Sequence, residues 1–154
     1  MNTDKHGFWE PLLELFRKKI PNLSSRSVSL TMRQYVENYV DERDQALFGY
    51  QEEDYRDHGS IRKIIFVATL WSGPSQMALR QLGEYLRNNH VTDLVVFVIN
   101  SENECHQHLV PEHLYYQLVG YGPILLYHDG NFVGHSTGQD LDHFHNSLDQ
   151  FMKM

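Results

Sequence analysis

The stretch that decides the fold runs from Lys63 to Gln76 and reads Lys-Ile-Ile-Phe-Val-Ala-Thr-Leu-Trp-Ser-Gly-Pro-Ser-Gln. It opens with β-branched and aromatic residues at positions 64–67, a pattern that is typical of a buried strand. The segment Trp71-Ser72-Gly73-Pro74-Ser75 breaks that pattern, and apolar residues at helical spacing come next. The stretch therefore predicts a buried strand that leads directly into a helix.

Downstream of this stretch, the sequence predicts a strand–helix–strand unit. Apolar residues recur at helical spacing as far as Asn88-Asn89, at positions Met77, Leu79, Leu82 and Leu86. Residues 94–99 then form an almost continuous apolar run, which is the signature of a strand covered on both faces. We expect the two strands to be parallel and their crossover to be right-handed.

The C-terminal third predicts a helix, a β-hairpin and a last helix. An irregular helix is expected near residues 111–118, ending at Gly120. Two short apolar runs, 124–127 and 132–134, are joined by a segment that contains Asp129-Gly130, a strong tight-turn signal. The last helix is predicted over about 141–152, where Leu141, Phe144, Leu148, Phe151 and Met152 form an apolar stripe.

Upstream, the sequence predicts a helix, a short strand and a second helix. The first helix lies within residues 1–26; Pro11 suits its first turn and Pro21 breaks it. Its apolar stripe is expected to pack on the domain, and a dimer or partner contact is the alternative. Val28-Ser29-Leu30 alternates as a short strand would, and Thr31 with Gln34 forms a capping box for a helix that reaches Val40.

The interval from residue 37 to residue 57 is strongly acidic. Eight acidic residues and two arginines give it a net charge of −6, out of −7 for the whole chain. The acidic residues are Glu37, Asp41, Glu42, Asp44, Glu52, Glu53, Asp54 and Asp57. Phe48, Tyr50 and Tyr55 are interleaved with them. A solvated face is one interpretation; the other is a binding surface for a basic partner, with aromatic anchors.

These patterns together resemble the thioredoxin family, in which Trp-Cys-Gly-Pro-Cys stands at the junction between a strand and a helix. Here the motif is Trp71-Ser72-Gly73-Pro74-Ser75, with serine at both cysteine positions. Gly122-Pro123 is similar to the family's cis-proline segment, and Gly138 to a glycine that closes the family's groove. The resemblance covers about residues 28–154 and implies an α/β thioredoxin fold, a central mixed β-sheet flanked by helices.

The resemblance also implies a domain organisation. Residues 1–26 are expected to be an N-terminal helical extension, and residues 27–154 a thioredoxin-like domain. Because the family crosses the interval of about 41–60 in fewer residues, we expect an acidic insertion there.

Thioredoxin chemistry requires a thiolate at a helix N-terminus and a second thiol that resolves the mixed disulfide. Ser72 and Ser75 supply neither, and the family's buried proton-accepting aspartate corresponds to Phe66. We therefore expect no enzymatic activity and no cofactor. The resemblance instead implies an adaptor, assembly chaperone or inhibitor that binds another protein through a surface comprising Trp71, Ser72, Gly73, Pro74, Ser75, Gly122, Pro123 and Gly138.

Two other functions are alternatives. Thioredoxin-like glutathione transferases activate the glutathione thiol with a hydroxyl at a helix N-terminus, and Ser72 occupies a comparable place. Against this alternative, we expect no all-helical second domain of the kind that those enzymes carry. Metal binding is the other, because Cys105, His106, His108 and His113 are suitable ligand types, with His143 and His145 further on. Their spacing is not a standard zinc pattern, so we expect solvated histidines and no metal.

Composition limits the partners and the compartment. With 154 residues, the chain has the length of one domain. Its acidic balance, without Lys/Arg-rich blocks, argues against nucleic acid and anionic membranes as partners. Cys105 is its single cysteine, which excludes an intramolecular disulfide and fits a reducing compartment. We expect a cytoplasmic protein whose partner is another protein, with a basic protein and a homodimer both left open.

Overall fold

The computed structural model describes residues 25–102, 104–114 and 120–154. The chain divides into two compact units, Met1–Thr31 and Met32–Met154. The helix predicted around Pro11 lies outside the described residues. In the part of the chain that the structure describes, every helix is too short or too polar to span a lipid bilayer.

The longer helices are α1 (Ser25–Tyr39), α3 (Gly73–Asn88) and α4 (Leu141–Met152), and α2 (Glu52–Arg56) is a single short turn. The strands are β1 (Phe48–Gly49), β2 (Arg62–Ala68), β3 (Val95–Asn100), β4 (Ile124–His128) and β5 (Asn131–Ser136). Short 3-10 helices span Glu42–Leu47, Glu104–Leu109 and Glu112–Leu114. Of the irregular helix predicted at 111–118, only residues 112–114 are described as helical, and 115–119 lie outside the described residues.

The prediction of a strand at Val28-Ser29-Leu30 is wrong, because these residues lie within α1. A three-residue alternation carries little information about secondary structure, and no glycine or proline interrupts the chain between Ser25 and Tyr39. The outer position beside β3 is occupied instead by Phe48–Gly49, which pairs with Val96 and Phe97 in parallel. The interval predicted to be an insertion thus contains the edge strand of the sheet.

The five strands form one mixed sheet in the order β1-β3-β2-β4-β5. β2 pairs in parallel with β3 and antiparallel with β4, so the predicted parallel pair is confirmed. β4 and β5 form the predicted hairpin. Its turn residues Asp129 and Gly130 both have positive φ, 51° and 78°, as a tight type I′ hairpin turn requires.

Both faces of the sheet are buried, which explains why β2 and β3 are apolar almost throughout. The first face, with Ile64, Phe66 and Val96, packs against residues of α1, α3 and α4: Met32, Tyr35, Val36, Leu79, Leu82, Leu86, Phe144, Leu148 and Phe151. The second face carries Ile65, Val67, Phe97, Ile99 and Leu125, with Tyr127 and Phe132 beside them, and is covered by Tyr55, Leu109 and Leu114. The central strands therefore hold the β2–α3 junction in a fixed position.

Candidate functional site

The register of the sheet brings four segments to the same end. Ala68 at the end of β2 pairs with Asn100 at the end of β3. Ile124 at the start of β4 pairs with both Phe66 and Ser136. The residues that continue beyond this end are 69–79, 101–102, 120–123 and 137–142. The eight residues of the predicted binding surface around Trp71 all lie in three of these segments.

Ser72 is the N-cap of α3. Its hydroxyl accepts a hydrogen bond of 3.3 Å from the backbone N–H of Ser75 and donates one to the carbonyl oxygen of Gly120. Pro74 lies in the first turn, where its missing N–H costs nothing. The Ser72 side chain is therefore buried and uses its proton within the structure, whereas activation of a glutathione thiol requires a hydroxyl directed at the ligand.

Ser75, at the second position where thioredoxins have cysteine, is completely buried at 0% exposure. Its Oγ accepts a hydrogen bond of 3.0 Å from the backbone N–H of Thr69. A second hydrogen bond, of 2.9 Å, joins it to the hydroxyl of Tyr35 on α1. Burial raises the pKa of Tyr35 to about 12, so this phenol keeps its proton at neutral pH.

Thr69 extends the same network. Its Oγ1 accepts a hydrogen bond of 3.0 Å from the backbone N–H of Gly120 and lies 3.1 Å from Ser101 Oγ. Sequence reasoning did not identify Thr69 or Tyr35 as members of the site. Nothing in the local sequence around Tyr35 indicates which distant hydroxyl its side chain reaches.

This hydroxyl network stabilises the structure and provides no nucleophile. Among the described residues, neither Ser72 nor Ser75 has a histidine or carboxylate as a hydrogen-bond partner. A serine hydroxyl that lacks such a base is not ionised at neutral pH. The side chain of Ser72 acts as a helix cap, and that of Ser75 as a buried connection between α1, β2 and α3.

Trp71, in contrast to the buried Ser72 and Ser75, has 70% of its surface exposed. Its indole Nε1 donates a hydrogen bond of 3.3 Å to the carboxylate of Glu102, just beyond β3. Gly73 and Pro74 are also exposed. Met77 is 55% and Tyr121 40% exposed, which adds two large apolar side chains at this end of the sheet.

The predicted cis-proline is wrong, because the described residues contain no cis peptide bond. Gly122 instead has a φ of +62°, a left-handed conformation that turns the chain into β4 through a trans Gly122-Pro123 bond. Pro123 is buried, and its carbonyl oxygen accepts a hydrogen bond of 3.0 Å from the N–H of Val67. This pairing extends the contact between β2 and β4 by one residue.

The two predicted groove glycines lie against α3. A Cβ on Gly122 would lie 2.7 Å from the Cβ of Ala78, and a Cβ on Gly138 would lie at the same distance from it. The N–H of Gly138 also donates a hydrogen bond of 3.2 Å to the carbonyl oxygen of Tyr121. Their role in this structure is thus close packing of backbone against helix, and the accessible part of the predicted surface is Trp71, Gly73 and Pro74.

The acidic residues between 37 and 57 do not form one surface. The segment 41–47 packs on the α3 side of the sheet, where Asp44 is buried against Gly83 and its carboxylate lies 3.6 Å from the guanidinium of Arg87. Helix α2 packs on the opposite side, since Tyr55 stacks on Phe97. The exposed carboxylates are therefore divided between the two sides of edge strand β1.

One of these carboxylates is paired locally. Asp41 forms two hydrogen bonds with the Arg43 side chain, at 3.0 and 3.1 Å, and this partner lowers the Asp41 pKa to about 2. Asp41 therefore remains ionised throughout the physiological pH range. Its carboxylate is already paired with the guanidinium of Arg43.

The histidines proposed as metal ligands have separate environments. His106 lies edge-on to Phe97, His108 lies 3.3 Å from the Glu52 carboxylate, and His113 lies edge-on to Phe132. His143 is hydrogen-bonded to Ser136, and His145 stacks on Tyr85. The side chain of Cys105 lies outside the described part. Within that part, no group of three or more potential ligands could hold a metal ion.

Comparison with known proteins identifies the fold. Neither a protein-family model nor a curated protein matches the sequence. Among solved structures, the chain is similar to oxidized thioredoxin O2 from Arabidopsis thaliana, with 14% identity and a TM-score of 0.52 over 69% of this chain and 95% of that one. It is similar to thioredoxin from Trypanosoma brucei brucei, with 14% identity and a TM-score of 0.53 over 75% and 98%.

The chain is also similar in structure to thioredoxin O1 from Arabidopsis thaliana, with 15% identity and a TM-score of 0.51 over 68% of this chain and 95% of that one. The protein therefore has a thioredoxin fold, and the predicted fold class, a mixed sheet flanked by helices, is confirmed. Identities this low establish the fold alone.

Proposed function

We propose that this chain is a degenerate thioredoxin-fold protein that has no thiol–disulfide activity and functions by binding another protein, as an adaptor, assembly chaperone or inhibitor. The observation that carries the proposal is the contrast at the start of α3. Both serines are buried and hydrogen-bonded inside the fold, whereas Trp71, between them and β2, is 70% exposed.

The chemistry supports the first half of this proposal. Dithiol exchange requires two sulfurs, and the sequence contains the single cysteine Cys105. Position 66, where thioredoxins have a proton-accepting carboxylate, is a fully buried phenylalanine. Thiol groups at 72 and 75 would therefore lack the base that assists exchange.

The absence of oxidoreductase activity can be measured directly. We expect the protein to leave the rate of insulin disulfide reduction by dithiothreitol at the level of the buffer, with an active thioredoxin as positive control. Acceleration by the wild-type protein would contradict the proposal, and loss of that acceleration in Cys105→Ser would then assign it to Cys105.

The exposed indole of Trp71 supports the proposed binding of another protein. Large exposed aromatic side chains supply much of the energy of protein–protein interfaces, and tryptophan is enriched among the residues that dominate it. Thr69 and Ser72 anchor the backbone on either side of Trp71 through buried hydrogen bonds. Little conformational entropy is therefore lost when the loop binds a partner, which favours affinity.

Affinity capture tests the binding function. We expect Trp71→Ala to reduce the recovery of a stoichiometric partner from native lysate by about tenfold or more, as for other interface tryptophans. Because Trp71 is mostly exposed, the variant should keep its melting temperature. Val133→Ala, which removes an exposed apolar side chain on β5, is the control and should capture the partner at wild-type strength. Equal recovery by all three proteins would refute a function of this surface.

A further inference from the structure

The same end of the sheet contains a concentration of exposed apolar side chains. Seven large apolar side chains of the described residues are exposed, and four belong to the segments that meet here. These four, which we call the apolar patch, are Trp71, Met77, Tyr121 and Leu141. Gly138 connects the segments, since it packs on Ala78 and its N–H donates a hydrogen bond to the carbonyl oxygen of Tyr121. Leu141, three residues later, begins α4.

All the charges within these segments have one sign. Residues 69–79, 101–102, 120–123 and 137–142 contain no lysine, arginine or histidine. Their charged groups at neutral pH are the carboxylates of Glu102, Asp140 and Asp142, which we call the acidic rim. Glu102 is exposed and accepts the hydrogen bond from Trp71, so this carboxylate lies directly beside the largest side chain of the patch.

The described cations on neighbouring elements are used elsewhere or lie further along their helix. Arg33 on α1 lies over the Tyr50 ring, at 5.7 Å from its centroid. Arg80 lies beyond Met77 along α3. The negative potential of the acidic rim is thus not cancelled by a cation within the segments that form the patch.

We infer that the apolar patch and its acidic rim bind a protein segment in which a large apolar side chain is flanked by lysines or arginines. This inference rests on the proposed function and specifies the partner's chemistry. An apolar centre with rim charges of one sign is complementary to an apolar anchor with charges of the opposite sign. A second copy of this chain does not fit, because a two-fold contact through the patch would place acidic rim against acidic rim.

The test uses Trp71 as its own reporter. The chain has two tryptophans, so a Trp9→Phe background leaves Trp71 as the single indole, and its emission shifts to the blue when it is covered. The probes are three synthetic peptides of equal length: a leucine-isoleucine-leucine core flanked by lysine pairs, the same core flanked by glutamate pairs, and lysine pairs around three serines. We expect only the first to bind, and more weakly when salt rises from about 50 to 500 mM.

Two double variants then distinguish a local effect of the acidic rim on peptide binding from an effect of the protein's net charge. Glu102→Gln with Asp142→Asn should weaken binding of the lysine-flanked apolar peptide by about four- to twenty-fivefold, since each exposed ion pair contributes about two- to fivefold. The amide that replaces the Glu102 carboxylate retains an oxygen that can accept the bond from Trp71. Glu42→Gln with Glu53→Gln makes the same change in net charge at exposed positions elsewhere and should weaken binding by less than about twofold.

Three results would overturn the inference: no binding of the lysine-flanked apolar peptide, equal binding of the glutamate-flanked one, or equal effects of the two double variants. The proposed function fails by a different result, which is equal capture of a partner from lysate by the wild type and by Trp71→Ala. If Trp71→Ala abolishes partner capture while the lysine-flanked peptide does not bind, the patch still binds a protein, and only the basic character assigned to that protein is wrong.

Discussion

Gly122→Ala is expected to lower the free energy of unfolding by about 2–5 kcal/mol, the sum of a left-handed backbone penalty and overpacking. Gly122 has a φ of +62°. A Cβ there would lie 2.7 Å from the Cβ of Ala78 and 3.0 Å from the Cα of Ser75. The Ser75 contact is a backbone atom of α3, so a side-chain rotation cannot relieve it. The measurement is chemical denaturation of purified protein.

Gly73→Ala is the matched control for this prediction. Gly73 begins α3 with a negative φ, and nothing lies within 4 Å of the Cβ that alanine would add. Alanine also has the higher helix propensity, so this variant should be as stable as the wild type or slightly more stable. If Gly122→Ala were as stable as the wild type, Gly122 could not have a left-handed conformation and pack closely on α3. The turn that leads into β4 would then be incorrect.

Ser75→Ala is expected to destabilise the protein by about 2–4 kcal/mol, because it leaves two buried groups without a partner. These groups are the N–H of Thr69 and the hydroxyl of Tyr35. Tyr35→Phe removes only one of the two hydrogen bonds and should cost about 1 kcal/mol. In the double variant the two losses should not add, since the bond between the two side chains is lost in either single variant.

Ser136→Ala provides a matched control for Ser75→Ala. Ser136 is also buried, but its hydroxyl has a single side-chain partner, the Nδ1 atom of His143. We expect a loss of about 1 kcal/mol there, as for an ordinary hydrogen bond. Two results would show that Ser75 does not belong to a coupled buried network. One is a loss of stability for Ser75→Ala no larger than that for Ser136→Ala. The other is strict additivity of the losses for Tyr35→Phe and Ser75→Ala in the double variant.

The hydroxyl network explains how the loop between β2 and α3 is held in place without thiols. A serine N-cap satisfies a backbone N–H in the first turn of α3, and a buried serine one turn later connects that helix to α1 and β2. The loop that presents Trp71 is therefore held from both sides. In a redox enzyme this rigidity positions a thiolate; here we propose that it positions an indole for a partner.

Several elements could be predicted from the sequence because their signals are local. The apolar runs of β2 and β3 indicate strands covered on both faces, and Asp129-Gly130 indicates the hairpin turn. Ser72 with Pro74 indicates the start of a helix. Each signal arises from the conformational preferences of neighbouring residues, so its interpretation needs no knowledge of distant contacts.

The tertiary structure alone decided the rest. Val28-Ser29-Leu30 has the alternation of a strand but lies in a helix, because strand formation depends on a partner that the local sequence does not specify. The acidic residues are adjacent in the sequence but divided between two sides of β1, since side-chain direction follows from packing. The sequence by itself determined the fold class and the presence of serine at positions 72 and 75. The partners of Ser75, the left-handed Gly122 and the acidic rim beside Trp71 depend on residues far apart in the chain, which only packing brings together.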